Sequence, residues 1–434
     1  MIAHLDNVRM RQASLITDQD PLFSTRRTVS PIDHSIIRPT PPPLMAVLPA
    51  EPMLLMTAGP VPVPAEVARA GSMVIDHLGD TMGMVLRHIR EMSRYVFQTQ
   101  DDKIYGVSGP ASASMEMAIA NLLWPGRKAL VLQGGLFSGR FAEMALGVGA
   151  EVTVLESEPG KPVTTQMVAD QLKVDSYDIV TMVQGETSSG VLTSDLQQIL
   201  KLACDHGAMT VVDAVCTLST MPLKKDEWGI DVLLTGSQKG LSSLPGVSLI
   251  SFSDRAWDTA VERQGRRPHW CLDVVRAERF WGEGSYHYTA PVPGLLAMHE
   301  ALRLIIEETL EKRFERHLHS SLALQAGIEA MGLELFTPEA YRLNSVLAVK
   351  VPTGVDDGRV RKYMENRFKV LIAGAYGFDI VRIGQMGEQC RVPNLFRTLH
   401  ALGAAVARQD ASVDPSLGMV TMEAYLAERA DDIL

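Results

Sequence analysis

Residues 178–215 read DIVTMVQGETSSGVLTSDLQQILKLACDHGAMTVVDAV. Two apolar runs of β type, DIVTMVQG (178–185) and AMTVVDAV (208–215), bracket a segment of helical period. The alternation continues on both sides of this stretch. KALVLQGG (128–135) and AEVTVLES (150–157) precede it, and DVLLTGSQ (231–238) follows. Strand-like runs alternating with helix-period segments predict an α/β fold with a mainly parallel sheet flanked by helices. Several of the runs end in Gly, Ser, Thr or Asp, so the chemistry is expected at the carboxyl ends of the strands.

Further out the pattern changes. A long amphipathic stretch over 293–331, PGLLAMHEALRLIIEETLEKRFERHLHSSLALQAGIEAM, is read as containing the helix that leads to a second domain. After it SVLAVKVP (345–352), FKVLIAGA (368–375) and DIVRIGQM (379–386) alternate with helical segments, which predicts a smaller C-terminal α/β domain. Residues 1–50 carry mixed charge and a proline cluster at Pro39, Pro41, Pro42 and Pro43, the composition of an arm or linker. The expected organisation is therefore an arm over 1–50, a large domain over 51–310 and a small domain over 311–434, with no internal repeat.

Composition narrows the function. A chain of 434 residues that is 46% hydrophobic can bury a large core. Its net charge of −10 contains no long run of one sign and no basic stripe, so no nucleic-acid partner is expected. An acidic protein that handles an anionic substrate must place its positive charge locally, which draws attention to single arginines. Cys204, Cys216, Cys271 and Cys390 show no metal-ligand spacing, and no metal is expected; they read as free thiols of a reducing compartment. No run reaches the roughly 20 apolar residues of a membrane span. The opening MIAHLDNVRMRQASLITDQD has no continuous apolar core, so a secretory signal is not expected and the cytoplasm is.

Two residues stand out as chemical candidates. Lys239 follows the run DVLLT and Gly236-Ser237-Gln238, and precedes Gly240 and the Pro245-Gly246 turn. That is a poor setting for a solvated lysine, and desolvation lowers a lysine pKa, as a Schiff-base nucleophile requires. Asp213 ends the run MTVV, where a carboxylate needs a partner. It can cap the following segment, or it can hold the protonated ring nitrogen of a cofactor. Placed at the ends of successive strands, Asp213 and Lys239 are expected to face one pocket. The stretch YGVSGPASASMEMA (105–118) has a small-residue turn before an apolar helical segment, a layout that presents N–H groups and hydroxyls to a phosphate.

Read together, these stretches resemble a fold-type I, class V aminotransferase that uses pyridoxal phosphate (PLP), of the alanine–glyoxylate and serine–glyoxylate branch. The resemblance runs from Thr57 to about residue 405. It is carried by TAGPVPVP (57–64), YVFQT (95–99), GETSSGV (185–191), VVDAV (211–215), GSQKGLSSLPGVSLISFS (236–253) and YHYTAPV (286–292). It implies that Lys239 is the Schiff-base lysine, that Asp213 binds the pyridine nitrogen and that Val215 packs on the ring. Thr187 falls at the contact to the ring hydroxyl. Phe137, in GLFSGR, falls at a stacking aromatic, and is otherwise a core residue. Ala111, Ser112, Ser237 and Gln238 fall in the phosphate-contacting stretches. Tyr286 and Thr289 match residues that reach the phosphate from a neighbouring subunit, so the resemblance implies a homodimer with shared sites. Arg382, in DIVRIGQMG, matches the arginine that clamps the substrate carboxylate; on residue type alone it could equally be a surface ion pair.

The chain also departs from the pattern. In Ser108-Gly109-Pro110-Ala111-Ser112 the proline offers no N–H where relatives offer one, which puts the phosphate contacts in question. The segment VIDHLGD (74–80) differs as well, and His77 is read either as a substrate-pocket residue or as a capped loop histidine.

The expected reaction moves an amino group from a small amino acid to a small 2-oxo acid such as glyoxylate or pyruvate, with ping-pong kinetics. Rivals are a pyridoxamine–pyruvate or a ureidoglycine–glyoxylate aminotransferase. A lyase of the cysteine desulfurase type needs a mobile catalytic cysteine, and none of the four sits in a Gly/Ser-rich flexible loop. A non-catalytic binding or regulatory protein is opposed by the retention of Asp213, Lys239 and Arg382.

Overall fold

The computed structural model describes residues 39–375 and 377–428. Most of the arm expected over 1–50 lies outside them; within it, Leu44–Val47 forms one helical turn. Residues 51–434 form a compact unit of their own, distinct from 1–50.

Within that unit the apolar runs form a seven-stranded sheet. Its strands are β1 (Ile104–Ser108), β2 (Lys128–Gln133), β3 (Glu151–Glu156), β4 (Ile179–Val183), β5 (Met209–Asp213), β6 (Val232–Gly236) and β7 (Val247–Phe252). They lie in the order β1-β7-β6-β5-β4-β2-β3. Neighbours pair in parallel from β6 through β3, and β7 alone runs antiparallel, against both β6 and β1. The central strands β4, β5 and β6 are buried at every position, which is why they read as continuous apolar runs rather than as alternations.

Helices cover the sheet: α1 (Asp80–Phe97), α2 (Ala111–Leu122), α3 (Leu136–Gly147) and α4 (Leu196–Asp205). Two more, α5 (Val292–Glu308) and α6 (Leu310–Ala330), share the long amphipathic stretch. That stretch is broken at Thr309, whose φ of 67° turns the chain while its hydroxyl accepts from Lys312 N at the start of α6. Across the break Glu308 is paired with Arg313 and Arg316, so the two helices are joined by buried charge as well as by the chain.

A second apolar core lies beyond. Strands β8 (Val346–Lys350), β9 (Ala373–Gly374) and β10 (Ile380–Gly384) form an antiparallel sheet in the order β8-β10-β9. Helix α7 (Val392–Val406), helix α8 (Pro415–Ala427) and the second half of α6 pack with it. Leu54 and Met56 join this core, because Leu54–Leu55 pairs in parallel with Val370–Leu371. No helix among the described residues is long and apolar enough to cross a membrane.

Candidate active site

Strands β5 and β6 are adjacent and parallel, with Asp213 opposite Leu234 in register. Their carboxyl ends therefore emerge side by side. Asp213 is the last residue of β5, and Lys239 lies three residues past the end of β6. Both line one cavity of about 130 Å³. A larger hollow, about 520 Å³, opens elsewhere among Leu192, Leu196, Met221 and Phe314, but it contains neither residue.

The Lys239 amine donates to Thr187 Oγ1 at 3.3 Å. Burial among protein atoms pulls this amine below the ordinary lysine range; Cys216, Asp213 and Glu186 oppose the shift, and the charge of Arg382 adds to it. Asp213 accepts the Val215 N–H at 2.8 Å. Burial raises its carboxyl to about 6, against the pull of that N–H and of the Lys239 and Arg140 charges. A desolvated amine thus faces a buried carboxyl whose charge is only partly offset, an arrangement that a cationic ring nitrogen would satisfy.

The walls come from two helix starts. Pro110, Ala111 and Ser112, at the beginning of α2, line the cavity, as do Phe137 and Arg140 on α3. The start of α3 is fixed by Glu186, a carboxylate 1% exposed. It accepts from Phe137 N at 3.2 Å, Ser138 N at 3.0 Å and Ser138 Oγ at 3.0 Å, and also from the hydroxyl of Ser188 at 2.6 Å. An anion on the exposed N–H groups of a helix start is favourable, and it sets the Phe137 ring in place. That ring carries the Lys239 amine 4.9 Å from its centroid and the Arg140 guanidinium 4.8 Å from it. Arg140 Nη1 also donates to Ser112 Oγ at 2.9 Å.

The other expected residues divide into those the fold gathers and those it leaves apart. Val215 and Gln238 line the cavity. Ser237 is fully buried, with its hydroxyl donating to Leu244 O at 2.6 Å, and it does not line the cavity. Arg382, on β10, donates from Nε and Nη2 to Gly374 O and from Nη1 to Thr187 O at 2.8 Å. It thus bonds the backbone of the residue whose hydroxyl holds Lys239, although it does not itself line the cavity.

His77 is not brought to the cavity. Its ring packs edge-on against Tyr286 at 5.9 Å, its Nδ1 lies 3.6 Å from Asp76 Oδ1, and its Nε2 is buried with no hydrogen-bond partner among the described residues. Tyr286 and Thr289 are exposed on this chain and do not line the cavity. Among the residues at the site that were not singled out from sequence are Arg140, Glu186 and Cys216. Glu186 lies inside GETSSGV, and Arg140 sits one helical turn after Phe137 in GLFSGR, so the turn spacing was an available signal.

The aminotransferase class-V family model matches residues 65–391. The chain is 33% identical to the alanine–glyoxylate aminotransferase of Callithrix jacchus, an alignment covering 86% of this chain and 92% of that one. The crystal structure of ureidoglycine–glyoxylate aminotransferase from Bacillus subtilis superposes with a TM-score of 0.84 at 32% identity, covering 88% of this chain and 99% of that one. That of pyridoxamine–pyruvate aminotransferase from Mesorhizobium loti gives 0.83 at 25% identity, covering 87% and 98%. The fold is that of the fold-type I aminotransferases. The chain belongs to the class-V aminotransferases, whose members use PLP, and it is a transaminase.

Proposed function

We propose that this chain holds PLP between Lys239 and Asp213 and transfers an amino group from a small amino acid, such as alanine or serine, to a small 2-oxo acid, such as glyoxylate or pyruvate. The observation that carries the reading is the pairing of a desolvated lysine with a buried carboxyl in one cavity, with Arg382 anchored to Thr187 beside it. The donor set fits the cofactor: an amine to join its aldehyde, a carboxylate for its ring nitrogen, apolar walls in Phe137 and Val215, and the start of α2 for its phosphate.

PLP, when bound, supplies the electron sink that makes an amino acid Cα–H acidic. The chain supplies the rest. Burial lowers the Lys239 Nζ pKa, which would suit this amine to carry the Cα proton away from the amino acid and, in the second half-reaction, to return a proton to the oxo acid's carbon. Asp213 keeps the ring nitrogen protonated. Thr187 Oγ1 fixes the direction of the amine. Arg382 would receive the carboxylate of amino acid and oxo acid in turn, as two half-reactions at one site require; retention of the amino group on the enzyme between them would give ping-pong kinetics.

Tyr286 and Thr289 are assigned to the phosphate of a partner subunit's site, a reading supported by their exposure on this chain and by the resemblance of YHYTAPV to the family's stretch of that role. The protein is accordingly read as a homodimer. Its four free cysteines favour a cytoplasmic setting. The boundary between large and small domains is placed at 310/311, near the break at Thr309.

The test is a single-turnover screen of the PLP-loaded protein with alanine, serine, glycine and ureidoglycine as donors, followed by glyoxylate and pyruvate as acceptors, with pyridoxamine and pyruvate offered to the apoprotein in parallel. Alanine or serine should discharge the cofactor fastest, and Lys239→Ala should abolish the step. Preference for ureidoglycine would move the chain to the activity named for its Bacillus subtilis relative, and turnover only of pyridoxamine would overturn the reading.

A further inference from the structure

At the start of α2, where the PLP reading puts the cofactor's phosphate, one backbone donor is missing. Helix α2 begins at Ala111 with Pro110 as its N-cap, and Pro110 brings neither an N–H nor a side-chain hydrogen bond to that turn. The whole chain is acidic, with 51 Asp and Glu against 41 Lys and Arg, so a dianion gains nothing from the average charge around it. Something local must compensate.

Arg140 lines the cavity beside Pro110, Ala111, Ser112 and Gln238. Its charge acts on the Asp213 carboxyl in the same cavity, but among the described residues it makes no ion pair. It is held by neutral groups instead, donating from Nη1 to Ser112 Oγ at 2.9 Å and lying on the Phe137 ring with Cζ 4.8 Å from the centroid. The aromatic face restrains the guanidinium without neutralising it. Ser112 and Phe137 thus position a planar cation at the start of α2. A planar fork of donors matches the oxygens of a phosphate, as a point charge does not.

We propose that Arg140 is the cationic ligand of the cofactor's phosphate monoester and supplies the interaction that Pro110 withholds. The inference rests on the reading that this cavity takes PLP, and it goes beyond that reading by giving a specific role to a residue the sequence motifs do not single out. Arg140 does no chemistry; it selects the phosphorylated cofactor over the free aldehyde.

The experiment compares PLP with pyridoxal, which lacks the phosphate, by spectroscopic titration of the apoprotein. Wild type, Arg140→Gln and Arg140→Lys are measured, each first shown by circular dichroism and urea unfolding to be folded. Loss of one charge-assisted contact should weaken PLP binding about 10- to 100-fold in Arg140→Gln while leaving pyridoxal within about twofold. Arg140→Lys should recover part of the loss. Inorganic phosphate should raise the urea midpoint of the wild-type apoprotein and not that of Arg140→Gln.

Equal weakening of PLP and pyridoxal would overturn the assignment and make Arg140 a support for the Phe137 ring. No change in either would remove it from the site. A wild-type protein that binds neither ligand would overturn the PLP reading itself, an outcome distinct from the other two.

Discussion

Gly59, in the TAGPVPVP stretch, lies directly under the stem of Lys239. Its φ is +103°, and a Cβ built there would stand 2.9 Å from Lys239 Cγ, 3.1 Å from Cε and 3.3 Å from Cδ. Gly59→Ala therefore carries two costs. The backbone term is that of any L-residue held in a sparsely populated region, about 1–3 kcal/mol. The contact term comes from a lysine stem that must yield by a few tenths of an ångström, an overpacking cost of about 1–3 kcal/mol. Gly126→Ala separates them, because Gly126 has a φ of +92° in an exposed turn with nothing within 4 Å of the built Cβ. It should show the backbone cost alone. Urea unfolding of the two apoproteins should place Gly59→Ala about 1–3 kcal/mol below Gly126→Ala. A shifted stem also moves the amine away from Thr187 Oγ1, 3.3 Å off in the wild type, so the single-turnover rate with alanine should fall roughly tenfold or more in Gly59→Ala and stay unchanged in Gly126→Ala. If the two variants lose the same stability and both keep the wild-type rate, Gly59 does not position the lysine, and the close packing assigned to this stem is wrong.

Two further predictions concern Asp213 and Arg382. In the apoprotein Asp213 sits near 6 while the unfolded chain holds it near 3.9, so the unfolded state sheds its proton first and stability falls as pH rises through that window, by about 3 kcal/mol at neutral pH. The Asp213→Asn apoprotein should therefore have a higher urea midpoint than wild type at pH 7.5 and lose that advantage at pH 4; the same gap at both values would contradict the assignment. For Arg382, removal of a charge-assisted, two-pronged contact costs about 2–4 kcal/mol, so Arg382→Ala should lose roughly 30- to 1,000-fold in kcat/KM for every amino donor while PLP affinity changes far less. Arg382→Lys should recover only part of it, and an alanine variant as fast as wild type at subsaturating donor would place the carboxylate elsewhere.

Much of the core of this site was legible from residues 208–239. The runs AMTVVDAV and DVLLTGSQ end in polar residues, and the structure makes them the neighbouring strands β5 and β6 with Asp213 and Lys239 on one cavity. Glu186 and Arg140 were less legible, because each reads as an ordinary charge on its own segment. Glu186 belongs to the site only because the start of α3, 48 residues earlier, folds its N–H groups onto that carboxylate. His77 illustrates the converse: its sequence neighbourhood left it open between a pocket residue and a loop histidine, and within this chain packing sets its ring against Tyr286.

By itself the sequence determined the local conformations, the parallel character of the sheet and the end of it where chemistry collects, since apolar period and strand-terminal residues act within a few residues of one another. It did not determine that β1 would join the sheet at the far edge, beside the one antiparallel strand, or that Leu54–Leu55 would pair with Val370–Leu371 in the second core. Nor did it determine that Arg382 would reach Thr187 across 195 residues, or that Gly59 would lie beneath Lys239. Those contacts join segments far apart in the chain. They are decided by which arrangement buries the most apolar surface while leaving few polar groups unpaired, a property of the whole packed molecule that no local period encodes.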